Sequence, residues 1–187
     1  VETHVSSLLR KLEAPDRRAL ADLAAELGRA ERTSQALAGL PSPLNPFIGR
    51  ARERIELRDA VGAHRLVTAV GPGGVGKTRL ALAVAADLAG AFADGVWFVN
   101  LVPVTDPAMV GSAVAAALGV GEHQGRSVDD SVLAALADRR TLLVLDNCEH
   151  VSDGVAPFAE RLLARCPGVS VLTTSRARLM VPFEWVY

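Results

Sequence analysis

Leu66-Val67-Thr68-Ala69-Val70-Gly71-Pro72-Gly73-Gly74-Val75-Gly76-Lys77-Thr78 is the stretch whose reading decides the fold. Its first five residues are apolar or β-branched and predict a strand. The next eight follow the pattern G-x-x-x-x-G-K-[ST], and Arg79 to Ala89 carry a helical spacing. Strand, glycine-rich loop and helix, in that order, predict a phosphate-binding loop. Glycines let backbone N–H groups turn inward around anionic oxygens, and the helix start adds the positive end of its dipole. On this reading the cradle comprises Gly71, Pro72, Gly73, Gly74, Val75, Gly76, Lys77, Thr78 and Arg79. Lys77 brings positive charge to the β- and γ-phosphates, and Thr78 offers a hydroxyl to Mg²⁺.

Downstream, apolar runs alternate with helical patterns. Val96 to Leu101 predict a second strand, nearly all apolar, as in a parallel sheet covered on both faces. Asp106-Pro107 predicts an N-cap with proline at the first helical position, followed by Val110, Val114 and Leu118 and a stop at Gly119. Ser127 predicts the cap of a helix with Val128, Val132 and Leu136 inward. Thr141-Leu142-Leu143-Val144-Leu145-Asp146 is an apolar strand ending in an acid. A carboxylate at the carboxyl end of a core strand stands where such sheets bind ligand. Ser152 predicts another cap, with Val155, Phe158 and Leu162 inward. Val169 to Thr174 predict a fourth strand, tipped by Ser175-Arg176. Strands alternating with helices give an α/β fold, a parallel sheet between helical layers with right-handed crossovers.

Composition agrees. Half the 187 residues are hydrophobic but only 4% are aromatic, so small aliphatic side chains must fill the helix–sheet contacts. The net charge of −1 gives no global attraction to nucleic acid or to a membrane surface. Two cysteines, Cys148 and Cys166, make no disulfide framework or metal spacing, so a reduced cytoplasmic setting is expected. Cys148 reads as a small buried residue, and His150 as a helix-start or surface residue. No run approaches the length of a membrane span, and no signal peptide is legible.

Upstream of the loop, Phe47-Ile48-Gly49-Arg50-Ala51-Arg52-Glu53 opens a charged helix carrying Ile55, Leu57 and Val61. Pro41, Pro43 and Pro46 forbid regular helix before it and mark a semi-rigid connector. Further upstream stand two short amphipathic patterns. Val5, Leu8, Leu9 and Leu12 share one face, and after Pro15 comes Asp16 with Leu20, Leu23 and Leu27.

Several of these words resemble known families. Asp146 and its strand resemble a Walker B segment, which implies that Asp146 holds Mg²⁺ together with Thr78. Arg176 resembles a sensor that reaches the γ-phosphate. Gly49 and Arg50, with Glu53, resemble the segment that packs over adenine and ribose in signalling P-loop NTPases. Taken together, Phe47-Ile-Gly-Arg, the phosphate loop, Leu143-Val-Leu-Asp-Asn-Cys-Glu-His and Leu172-Thr-Thr-Ser-Arg resemble the STAND class, most closely the NB-ARC-like module of bacterial AfsR- and LuxR-type regulators. That resemblance implies the strand order 2-3-4-1-5, a fifth strand that would begin near Val186 and is essentially missing from the chain, and ATP or ADP with Mg²⁺ as cofactors. Val1 to Leu20 resemble the recognition helix and final helix of a LuxR-type helix-turn-helix. Glu2, Thr3, Ser6, Ser7, Arg10 and Lys11 would then face DNA.

The expected organisation is therefore part of a helix-turn-helix over residues 1–28, a linker over 29–46 and the nucleotide-binding domain over 47–187. It reads as an internal piece of a longer protein, since the first residue is Val1 and the chain stops on the approach to a strand. The expected function is an ATP/ADP switch in a transcriptional regulator, with nucleotide-dependent self-association and no membrane partner. Lys77, Glu149 and Arg176 are the catalytic candidates. Glu149 is the nearest carboxylate able to orient a water, but Asn147 stands where many hydrolytic relatives place an acid, so hydrolysis should be slow. The competing expectation is a catalytic P-loop ATPase or kinase whose N-terminal helices form an interaction arm without a DNA role.

Overall fold

In the computed structural model of the chain, five strands pair in parallel in the order β2-β3-β4-β1-β5. The described residues are 16, 18–19, 21, 39–41, 49–121 and 125–187. The proposed DNA-facing residues Glu2, Thr3, Ser6, Ser7, Arg10 and Lys11, and the opening Phe47-Ile48, lie outside them. The chain divides into two units, Val1–Gln35 and Ala36–Tyr187. The second unit contains the sheet.

Its elements are α1 (Ala51–Ala63), β1 (Leu66–Val70), α2 (Lys77–Leu88), β2 (Val96–Asn100), α3 (Val110–Leu118), α4 (Val128–Leu136), β3 (Thr141–Asp146), α5 (Ser152–Arg165), β4 (Val169–Ser175) and β5 (Trp185–Val186). The expected strand order is observed. The fifth strand, expected to be essentially missing, is instead present as a short pairing with β1, Val67 opposite Trp185 and Thr68 opposite Val186, because the residues just before Val186 already run extended along β1. Tyr187 extends it, donating from its N–H to Thr68 O while its carbonyl accepts from Val70 N.

Strand periodicity explains the two cores. All six residues of β3 are buried, yet they face opposite ways. Leu143 and Leu145 join α3, α4 and α5 through Val114, Val132, Leu136, Phe158 and Leu162. Leu142 and Val144 join α1 and α2 through Leu57, Val61, Leu80 and Val84. A strand covered on both faces has no polar side to alternate with, hence its unbroken apolar run. Each fully buried Leu or Val contributes about 1.5–3 kcal/mol, and Leu143→Ala would cost roughly 2–5 kcal/mol. Ala81 and Ala85 along α2, and Ala89 just after it, are buried and allow close approach to the sheet, which is how a chain poor in aromatic residues closes its core.

The predicted caps hold at two helices. Asp106 accepts from Ala108 N at 2.9 Å, and Ser127 accepts from Asp130 N at 3.1 Å. Gly119 closes α3 in the left-handed region at φ 66°. Three local expectations shift. Ser152 lies inside α5, with Val151 at the cap position. Ile55 is 50% exposed, because Leu57 and Val61 take the buried face of α1 and Ile55 points away from it. Residues 39–41, read as linker, belong to the second unit: Gly39 bridges to Trp97 and accepts from Phe98 N at 2.9 Å. A Cβ on Gly39 would stand 2.5 Å from Val96 O, so only glycine fits this approach.

Candidate functional site at the carboxyl edge of the sheet

Every strand points its carboxyl end toward the same edge, and the phosphate loop, Asp146, Glu149 and Arg176 gather there because parallel pairing puts strand ends side by side. Gly71, just after β1, donates from its N–H to Ser175 O at the end of β4 (3.2 Å). The phosphate loop is thereby tied to the strand carrying Arg176. Gly76 caps α2 at φ 87°, a conformation that side chains disfavour, and α2 begins directly at Lys77. A helix start offers outward N–H groups and positive potential, here opening into the loop. Lys77 Nζ folds over that loop and donates to Gly71 O at 2.7 Å and Pro72 O at 3.0 Å. An ammonium resting on neutral carbonyls can exchange them for anionic oxygens.

Thr78 and Asp146, 68 residues apart in sequence, meet directly: Thr78 Oγ1 donates to Asp146 Oδ1 at 2.7 Å. Asp146 is buried, and its Oδ1 also accepts from Thr174 Oγ1 at 2.5 Å. The Thr174 hydroxyl oxygen in turn accepts from Asn147 N at 3.0 Å. Thr174 was not legible as a site residue, since a threonine near the end of an apolar strand reads as a β-former. Its hydroxyl fixes one oxygen of the carboxylate and the backbone turn that follows. That turn is sharp: Asn147 is left-handed at φ 65°, a region asparagine tolerates better than most residues. The donor set of threonine hydroxyl and carboxylate is all hard oxygen and fits Mg²⁺. Among the described residues no cluster of three or more His, Cys, Asp and Glu forms a metal centre.

Glu149 and Arg176 also come together, with Arg176 Nε 2.9 Å from Glu149 Oε1. The Arg176 side chain is 67% exposed and that of Glu149 only 18%. The guanidinium lies over the phosphate loop, since a Cβ on Gly73 would stand 3.5 Å from Arg176 Nη2. Glu149 Oε2 is buried without a hydrogen-bond partner among the described residues. The acid expected to orient water is thus engaged by the arginine expected to read phosphate.

Cys148 is fully buried, and burial, reinforced by the Asp146 and Glu149 carboxylates, pushes its thiol far above the ordinary range. It is a packing residue, as its sequence context suggests. His150 is exposed but useful: its Nε2 lies 3.0 Å from Leu101 O and 2.9 Å from Val104 O. It pins the turn after β2 to the turn after β3. Gly49 and Arg50 precede α1 in left-handed backbone at φ 84° and 54°. Gly49 lines a cleft of about 370 Å³ with Ala51, Arg54, Ile55, Arg58 and Asp87, while Arg54 and Asp87 form an ion pair across it. A larger cleft, about 540 Å³, is elsewhere, bordered by Val61, Leu88, Arg139, Arg140 and Gly168 at the amino ends of the strands. Chemistry, rather than cavity size, identifies the carboxyl edge as the candidate site.

No protein-family model matches the chain. It is similar to a Mycobacterium tuberculosis protein provisionally named an HTH-type transcriptional regulator, 44% identical over 120 residues, 64% of this chain and 13% of that protein. It is also similar to the regulatory protein AfsR of Streptomyces coelicolor, 32% identical over 183 residues, 87% of this chain and 18% of AfsR. The chain thus spans less than a fifth of either relative. Among solved structures, a Signal Transduction ATPase with Numerous Domains from Pyrococcus horikoshii, with a tetratricopeptide repeat sensor, superposes with a TM-score of 0.53. The identity is 20%, over 78% of this chain and 23% of that one. The fold is that of the P-loop NTPases. No helix among the described residues is long and apolar enough to cross a membrane.

Proposed function

We propose that this chain is the nucleotide-binding switch module of a transcriptional regulator, holding ATP or ADP with Mg²⁺ at the carboxyl edge of its sheet. The observation that carries this reading is the joining of Lys77, Thr78 and Asp146 at one strand edge, on a phosphate loop anchored to β4. Lys77 would trade its two loop carbonyls for β- and γ-phosphate oxygens. Thr78 and Asp146 would turn their facing oxygens to Mg²⁺, with Thr174 keeping the carboxylate in place. Gly49 and Arg50 would border the base and ribose. Bound Mg²⁺ supplies charge neutralisation on the phosphates.

The similarity to named regulators supports the regulatory role, and the similarity to a signal-transduction ATPase supports the ligand class. Slow hydrolysis is in keeping with Asn147 after the metal-side acid and with Glu149 being tied to Arg176. Residues 1–28 would be the DNA-reading part, contacting DNA through Glu2, Thr3, Ser6, Ser7, Arg10 and Lys11. Residues 29–46 would be the link, and 47–187 the switch, with self-association following the bound nucleotide. A switch requires the two nucleotides to favour different states.

Titration calorimetry on Lys77→Ala tests the core of this reading. Affinity for both ATP and ADP should fall about a hundredfold or more, the loss expected of a charged contact worth about 3 kcal/mol. Unchanged affinity in a folded variant would sink the assignment.

A further inference from the structure

Arg176 stands between two anionic partners, one in hand and one in prospect. On one side Glu149 holds it through Oε1 at 2.9 Å. On the other its guanidinium lies over Gly73 of the phosphate loop, beside the place a terminal phosphate would take. Nη1 and Nη2 keep their own N–H donors, but Glu149 fixes the position of the guanidinium through Nε and offsets its charge. Glu149 has little to fall back on, because its side chain is only 18% exposed and Oε2 is already buried without a partner among the described residues. Removing the arginine strands a largely buried carboxylate, which is costly.

Resting on the nucleotide-binding reading above, we infer that Glu149 is a specificity-determining residue that competes with the γ-phosphate for Arg176 and so biases the site toward the diphosphate. ADP binds with the Glu149–Arg176 pair intact. ATP meets a guanidinium whose charge Glu149 already offsets, and part of the third phosphate's binding energy is spent on drawing it off the carboxylate. The pair is exposed on its arginine side, which limits its strength, so the bias is modest, roughly three- to tenfold in ATP affinity.

The test is calorimetry with ADP and with a non-hydrolysable ATP analogue, both with Mg²⁺, on the parent protein, Glu149→Gln, Arg176→Ala and the double variant. Circular dichroism confirms that each is folded. The expected result for Glu149→Gln is tighter analogue binding by that factor, with ADP affinity within about twofold of the parent. In the Arg176→Ala background the same substitution should do nothing, the non-additivity expected of two residues acting through one contact. Equal effects on both nucleotides, weaker analogue binding, or an effect that survives without Arg176 would each overturn the inference. A parent protein that binds neither nucleotide would overturn the nucleotide-binding reading itself, and this inference with it.

Discussion

The two edges of the sheet handle polar groups in opposite ways. At the amino edge, polar groups are closed off by fixed backbone partners. Arg65 donates to Val169 O and Leu163 O at 3.0 Å each and to Cys166 O at 2.5 Å, clamping the end of α5 to the start of β4. Thr141 Oγ1 donates to Gly95 O at 2.6 Å, and Arg140 N donates to Asp94 Oδ2 at 2.7 Å. At the carboxyl edge, side chains pair with one another or with their own loop: Thr78 with Asp146, Arg176 with Glu149, Lys77 with Gly71 and Pro72. The first arrangement loses stability if any member changes. The second can swap partners, as a binding edge must.

Substitutions on the two edges should therefore separate stability from binding. The largest effect on stability is expected at the amino edge. Arg65→Ala removes three charged hydrogen bonds and should lower unfolding free energy by about 2 kcal/mol in urea titration, with nucleotide affinity within twofold. A stable variant that binds poorly would erase the distinction between the edges. Asp146→Asn, at the other edge, keeps an acceptor for Thr78 and Thr174 but weakens the hold on Mg²⁺. The gain in nucleotide affinity on adding Mg²⁺ should shrink about tenfold, while stability stays within about 1 kcal/mol. If stability collapses instead, the carboxylate is structural.

The smallest effect is read from one thiol at each edge. Burial raises both Cys148 and Cys166. Asp146 and Glu149 push Cys148 further, whereas Arg65 and Arg165 pull Cys166 back. Because the folded thiols hold their protons above the unfolded value, near 8.5, their contribution is complete below that pH and is lost as pH rises past it. Unfolding free energy should fall by about 1 kcal/mol per fully shifted thiol between pH 7.5 and 9.5. Cys148→Ala should remove more of this slope than Cys166→Ala; the reverse ranking would mean the local charges are misjudged.

What the sequence makes legible follows from how local each signal is. The phosphate loop and the acid ending β3 carry their chemistry in contiguous residues and could be read directly. The order of strands could not come from periodicity, which is blind to neighbours; it came from resemblance to proteins already folded the same way. Thr174, Arg65 and the Glu149–Arg176 pair were not legible. Each matters through a partner distant in sequence, and a threonine in a strand or an arginine before one carries no local mark of its partner. Ile55 misled because α1 is charged all round, so the helical spacing did not single out one buried face.

Gly39 has a consequence for solubility. A strand at the edge of a sheet offers a row of unpaired backbone groups to any other extended chain, and β2 is such a strand. The bridge from Gly39 to Trp97 occupies part of that row with the protein's own backbone. The guard depends on a residue without a side chain, because Val96 O leaves no room for one. Among the described residues this bridge is what covers that part of β2, and a methyl group at position 39 would lift it and offer the row to strand addition by a second molecule.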